Sequence, residues 1–458
     1  MRELLLVALS IASVSAFAET AGGAGRPLTV LGAGDLFMAR EFPSDYKVPE
    51  RLRAWIGSAD VRLINFEMVV NDGSCPPNAW SGGTWAVMPP SVLTDFVKFG
   101  FNGCGCANNH SLDYSREGLM QTRLALKCLG LPFAGIGRDL QEATAAAFVD
   151  TPNGRVAFVA MNCEFHRDAQ AGWTTSRSPG RPGMNFLRHK TKYLVTASQL
   201  QALKEISAAT GIDGVRNLDQ KDGYIPPDPP GYASFGWNDF WVGERTGKLT
   251  WCDSNDLARI TAEISRARDK ADCVVVLAHS HDVRGERHDE PDFYFMDFCR
   301  AAIDAGATVV FGGGTHQLRG IEFRDGKPIF YSLGDFVFQN SYTMSVPPDF
   351  CERHKVPLDS PAEVALNARS KGGKLGLHTD RANFLSVLPR LTVVKGKVVR
   401  VEMLPVELGF RAKGFHNGLP VVADAETSDY IRERLAELSR PFGTTIGKTD
   451  GGTLVATP

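Results

Sequence analysis

From residue 28 to residue 332 the chain repeats one unit: a short β-rich run, a turn containing Gly or Asn, and a stretch of helical period. That rhythm is the signature of an α/β fold. It predicts strands at 28–31, 61–64, 103–106, 156–161, 274–278, 308–311 and 329–332. Helices are predicted at 91–99, 116–129, 256–270 and 293–305, with Gly100, Gly130 and Gly306 placed as C-terminal stops. Residues 170–250 break the rhythm and are rich in Gly, Pro and Trp. Trp173, Trp237, Trp241 and Trp251 are too many aromatics for a chain that packs against nothing, so this stretch reads as an insertion over the active face. After an irregular stretch at 341–383, the runs 385–394 and 397–404, joined through Lys395-Gly396, predict a β-hairpin that finishes a sheet, followed by a helix at 428–438. The expected organisation is a domain over 26–340 that carries the insertion, and a segment over 341–458 that completes its sheet.

The chain opens Met1-Arg2-Glu3, continues with an apolar run from Leu4 to Ala18, and closes that run on Ala16-Phe17-Ala18, a small-x-small signature. Residues 1–18 are expected to be a removed signal peptide, because the run falls short of the roughly 20 residues that span a bilayer. An uncleaved membrane anchor is the alternative. The mature protein is accordingly expected to be secreted or periplasmic. Nine cysteines, an odd number with no CxxC pair, leave one or two disulfides open in an oxidising compartment and do not encode their pairing. The formal net charge of −2, from 50 basic and 52 acidic residues, provides no broad positive field and argues against nucleic acid as a partner.

The chemistry gathers at the ends of the predicted strands. The run at 28–31 leads to Gly34-Asp35, 61–64 to Asn65-Phe66-Glu67, 103–106 to Asn108-Asn109-His110, 274–278 to His279-Ser280-His281, and 308–311 to the Gly-rich turn before His316. In an open α/β sheet such ends share one edge, where ligands bind. Singly, a Gly-Asp is most often a turn and an Asn-His a helix cap. Jointly they carry more weight, because only ten histidines occur in 458 residues and four of them fall directly after strands. A mixed Asp, Glu, Asn and His set suits a divalent ion such as zinc, manganese or iron, as one ion or two. Such ions polarise a scissile group and bring a bridging water toward ionisation at neutral pH.

These residues carry a family resemblance. Gly-Asp-Leu-Phe-Met (34–38), Asn-Phe-Glu (65–67), Ala-Asn-Asn-His-Ser-Leu-Asp-Tyr (107–114), Gly-Arg-Pro-Gly-Met-Asn-Phe-Leu-Arg (180–188), His-Ser-His (279–281) and Gly-Lys-Pro-Ile-Phe-Tyr-Ser-Leu-Gly-Asp-Phe-Val-Phe (326–338) follow one another in order. In that order the chain resembles the CapA family of poly-γ-glutamate capsule synthesis proteins over residues 28–340. The resemblance implies a two-sheet α/β sandwich of the calcineurin-like metallophosphoesterase type with an inserted loop region. It implies an extracytoplasmic role in making or exporting an anionic cell-surface polymer, with the polymer or its precursor, and membrane-bound capsule synthesis proteins, as partners. By position, Asp35, Glu67, Asn109, His279 and His316 are the implied metal ligands, with His281 as a compensating donor. His110 is the implied catalytic acid, and Arg181, Asn185 and Arg188 the implied substrate contacts.

The chain departs from the family pattern in three places. Gly313 and Gly314 stand where members carry a histidine in the turn, with Thr315 in place of Pro. Asp335 follows Tyr-Ser-Leu-Gly where Asn is usual. Phe37 occupies a position that is a histidine ligand in the wider superfamily. Two functions compete: a metal-dependent hydrolase or transferase, and a non-catalytic polymer-binding component with a degenerate metal site. The trio Asp35, Glu67 and His110 separates them, since a pure binder has no need of an acid beside a ligand.

Overall fold

The computed structural model describes residues 26–163 and 166–458, so the expected signal peptide lies outside the described residues. Two sheets dominate. In the first, of ten strands, Leu28–Phe37 is central, parallel to Val61–Asn65 on one side and antiparallel to Leu385–Val394 on the other. Gly103–Gly105 and Phe133–Ala134 extend it in parallel beyond Val61–Asn65, and Lys397–Glu407 extends it beyond Leu385–Val394. In the second, of seven strands, Gly154–Cys163, Cys273–His279, Val309–Gly313 and Lys327–Phe330 run parallel. Antiparallel edges are added by Ala147–Thr151 and Ile321–Arg324.

The side-chain period of two divides the interior. Along Cys273–His279 every residue is buried, as expected of a parallel strand covered on both faces. Val275 and Leu277 join the core shared with the first sheet, whereas Val274, Val276 and Ala278 join a second core with the helices Ser254–Arg268 and Phe293–Ala305. Fully burying a Val or Leu side chain contributes about 1.5–3 kcal/mol. The sheets approach closely because one offers glycine where the other offers bulk. A Cβ on Gly32 would lie 2.6 Å from the Phe311 ring, and one on Gly105 2.8 Å from Leu277 Cδ1.

Several elements differ from expectation, for reasons that lie in non-local pairing. The first strand runs to Phe37 rather than stopping at 31, because Asp335–Phe338 pairs in parallel with its last residues. The expected helix at 91–99 is broken into Pro90–Val92 and Val97–Phe99, both 3₁₀, around a single α turn, Leu93–Phe96. The insertion is more than loop. His189–Val195, Tyr232–Phe235, Asn238–Val242 and Gly247–Cys252 form their own four-stranded sheet, joined by the helices Ala197–Thr210 and Gly214–Lys221. The first of these helices opens with a capping box at Thr196 and Gln199. Leu385–Val394 and Lys397–Glu407 turn through Lys395 and Gly396, both at positive φ, as a two-residue hairpin with a type I′ turn requires. All nine cysteines are free thiols, with Cys104 and Cys106 Sγ 3.8 Å apart, so neither disulfide left open by the sequence forms. Among the described residues no helix is long and apolar enough to cross a membrane.

Candidate metal centre

The carboxyl ends of the strands from both sheets meet at one edge. Backbone register places Asp35 beside Asn65 and Asp335, and His279 beside Gly313. Asp35 Oδ2 accepts from Gly314 N at 2.7 Å, and Asp35 Oδ1 accepts from Asn65 Nδ2 at 2.7 Å. The carboxylate fills the space that a side chain at position 313 would need, since a Cβ there would lie 2.4 Å from Asp35 Oδ1. The glycine that departs from the family pattern is thus the one that seats Asp35. At the end of the same turn His316 sits at φ 61°, a left-handed conformation uncommon for a residue with a Cβ and a sign of a backbone held in place by its surroundings.

Glu67 is the focus. It has no exposed surface, and neither of its oxygens has a hydrogen-bond partner. A carboxylate held this way costs several kcal/mol unless something compensates it. Oε1 lies 3.5 Å from His279 Nε2 and 3.9 Å from His110 Nε2. His279 Nε2 lies 3.3 Å from His281 Nε2 and 2.8 Å from Asn109 Oδ1. The donor atoms of Glu67, His279 and His281 all fall within 4.8 Å of one another, as do those of Asp35, Glu67 and Asp335. A tetrahedral ion with bonds of about 2.1 Å holds its ligands roughly 3.4 Å apart. The observed separations therefore fit a divalent cation, and the unpartnered Glu67 is the group that one would neutralise.

The local electrostatics agree with that fit. Burial, reinforced by Asp35, Asp335 and Asp113, holds the Glu67 carboxyl well above the usual carboxylate range. Burial would also raise Asp35, but His279 beside it and the hydrogen bonds from Asn65 and Gly314 keep it below its ordinary value. Asp335 is pushed up to about 6 by burial, against the pull of His316, whose Nδ1 lies 3.1 Å from both of its oxygens. Burial would lower His316, yet Asp335 keeps it above the ordinary imidazole value.

His110 lies at the rim of this cluster with its Nδ1 2.6 Å from Asp113 Oδ2. The Asp113 carboxyl is raised by burial, offset in part by His110 and by the Ala86 and Gly82 amides that donate to it. Phe37 packs edge-on against the His110 ring at 5.4 Å and helps to hold the imidazole.

The structure thus brings Asp35, Glu67, Asn109, His110, His279 and His281 together, and holds His316 beside them through Asp335 and the His281 ring, 5.6 Å away. The implied substrate contacts are engaged with partners in the chain itself. Asn185 is fully buried, donating to Ala160 O and accepting from Arg259, which makes it a stitch between strands rather than a surface for a ligand. Arg188 is paired with Asp256, and Arg181 Nε donates to Gln170 O. Sequence reasoning left out Asn65, which bridges Asp35 and His279, and Asp113, which orients His110; it noted Asp335 only as a nearby charge. Their signals were local: Asn65 directly follows a predicted strand, and Asp113 follows His110 by three residues.

Comparison with known proteins places this geometry in a family. The model for the bacterial capsule synthesis protein PGA_cap matches residues 29–340. Over 432 residues the chain is 30% identical to the uncharacterized protein y4sH of Sinorhizobium fredii, covering 91% of this chain and 90% of that one. It is 23% identical over 354 residues to the capsule biosynthesis protein CapA of Bacillus anthracis, covering 74% and 67%. A shorter segment of 81 residues is 42% identical to the PGA biosynthesis protein CapA of Bacillus subtilis, covering 18% and 20%. The matched span contains every member of the cluster from Asp35 to Asp335, and the chain belongs to the CapA family of bacterial capsule synthesis proteins.

Proposed function

We propose that this chain is an exported CapA-type protein of cell-surface polymer synthesis or export, and that it acts there as a metal-dependent hydrolase or transferase. The observation that carries the reading is Glu67, a buried carboxylate with two unpartnered oxygens at the meeting point of His279 and His281. The facing sheets with helices outside, and donors at the strand ends, support the calcineurin-like sandwich as the finer description of the fold. The N-terminal apolar run supports export, to a secreted or periplasmic location.

In this reading Glu67, His279 and His281 hold a divalent ion of the zinc, manganese or iron class, with Asn109 completing the set. Asp35, Asp335 and His316 line the adjoining side. Once bound, the ion supplies Lewis-acid polarisation and an activated water. The remaining work falls to the chain. Asn65 fixes Asp35 and His279 relative to each other through one amide group. Asp113 engages His110 at Nδ1, so that Nε2, the nitrogen directed at Glu67, is the atom that passes a proton to a leaving oxygen or nitrogen. Gly82, whose Cβ would clash with Asn109 and His110, lets the neighbouring loop close over both and exclude water.

The test is an assay on a chromogenic phosphodiester with metal-stripped protein, the same protein reloaded with manganese or zinc, and His110→Ala. Turnover that needs the metal and falls in the variant supports the reading, and turnover indifferent to both refutes it. The competing reading of a polymer binder draws on Gly313, a position that offers no donor, and it predicts metal binding without turnover.

A further inference from the structure

Outside the cluster, a groove with a volume of about 890 Å³ lies along the irregular 341–383 stretch and the loop at 410–417. That volume is in the upper part of the range for ligand sites, roughly 300–1,000 Å³. Its charges are unequal. Arg40, Arg369 and Arg411 line it against a single acid, Glu363.

None of the three arginines forms an ion pair among the described residues, in a chain whose other arginines commonly do, as with Arg300 to Glu322 and Arg324 to Asp304. Each rests on an aromatic face instead. The Arg40 guanidinium carbon is 4.3 Å from the Phe415 centroid, that of Arg411 5.1 Å from Phe410, and that of Arg369 5.7 Å from Phe350. Backbone and hydroxyl acceptors finish the positioning: Arg40 Nε donates to Tyr342 O, and Arg369 to Thr84 Oγ1. Burial pushes the Arg369 guanidinium down, with no carboxylate to offset it. Guanidinium groups stacked on rings keep their donor edges available for planar oxyanions.

The groove is tied through the chain to the candidate metal centre. Thr84 belongs to the same short loop as Gly82, which abuts Asn109 and His110, and Thr84 donates to Asn340 on the groove side. Arg40 follows Asp35 by five residues and is held by Gln339, whose side chain accepts from the Ala39 and Arg40 amides.

We infer that this groove binds an extended ligand bearing several oxyanion groups, which Arg369, Arg40 and Arg411 engage by charge-assisted hydrogen bonds. The inference goes beyond the hydrolase reading and does not need it, because binding is measured on metal-stripped full-length protein. The experiment is calorimetric titration of that protein with a short glutamate oligomer and, in a parallel arm, with tripolyphosphate, repeated with Arg369→Gln and Arg411→Gln. Binding by the wild type that weakens tenfold or more in each variant, and falls as salt rises, supports the inference. The tighter arm tells whether the groups are carboxylates or phosphates. Arg411 is exposed, so its variant reads the groove even where Arg369→Gln disturbs folding. No binding in either arm, or binding unchanged in Arg411→Gln and in a folded Arg369→Gln, overturns it.

Discussion

The Nε2 atoms of His279 and His281 face each other across 3.3 Å, and Oε1 of Glu67 lies 3.5 Å from the first of them. Two imidazole nitrogens and a carboxylate oxygen converge in this way when a cation is meant to sit among them, because without one the buried carboxylate has no hydrogen-bond partner.

The first prediction concerns Glu67 itself. In metal-free protein at pH 7.5, Glu67→Gln replaces a buried carboxyl whose ionised form is disfavoured by burial and by the acids around it, and is expected to leave stability unchanged or to raise it by about 1–3 kcal/mol. With metal present, the same substitution loses the stabilisation that the ion gives the wild type. Chemical denaturation of both proteins, with and without metal, checks the reversal of sign.

The second concerns pH. Glu67, Asp335 and His316 all have folded-state proton affinities above their ordinary values, Asp335 reaching about 6. A raised acid favours the folded state below its unfolded pKa and loses that contribution as pH rises through the folded one, and a raised histidine does the same. Asp35 acts in the opposite sense, its contribution being lost as pH falls through its depressed value. Asp35 changes only below its ordinary value, outside this window, and His281, lowered by burial and by the histidines around it, is the member of the cluster that opposes the three, so metal-free protein is expected to melt at a higher temperature at pH 5.5 than at pH 7.5. Added metal, which competes with protons for Glu67, reverses that order. Thermal melts at both pH values with chelator and with metal measure it.

The third separates positioning from coordination. Asp113→Asn leaves the metal donors in place but weakens the hold on His110 Nδ1. Turnover is expected to fall by about 10–100-fold with metal content unchanged. A displaced pH–rate profile distinguishes this from a structural defect, and an unaltered profile with full turnover contradicts the assignment.

The fourth uses the glycine that seats Asp35. Gly313→Ala places a methyl group against Asp35 Oδ1 and is expected to weaken metal binding by about 10–100-fold, a loss typical of disturbing the supports of a ligand. Gly247→Ala, with nothing within 4 Å of its Cβ and a backbone outside the left-handed region, is the control for glycine replacement and leaves metal binding intact.

The sequence was most legible where chemistry and period coincide. Asp35, Glu67, Asn109, His279 and His281 stand at strand ends, and strand ends of a parallel sheet share an edge whatever the details of packing. Asn65 and Asp335 were harder to see, because what they do depends on atoms brought near only by folding: Asn65 reaches His279 across 214 positions of sequence. The insertion hid its sheet for a related reason. His189–Val195 is half-exposed throughout and lacks the apolar run that marks the buried strands, so only its pairing with Gly247–Cys252 and Asn238–Val242 identifies it. Asn185 sits in a motif read as substrate-facing, but a motif carries no record of which side of a strand it lies on, and this one faces inward.

Quantitative metal analysis of purified protein, after chelation and reloading, tests the centre most directly when wild type, Glu67→Gln and His281→Ala are compared. The account predicts at least one tightly held zinc, manganese or iron ion per wild-type chain and its loss in both variants. A wild type that retains no divalent ion, or variants that retain as much as the wild type, contradicts it.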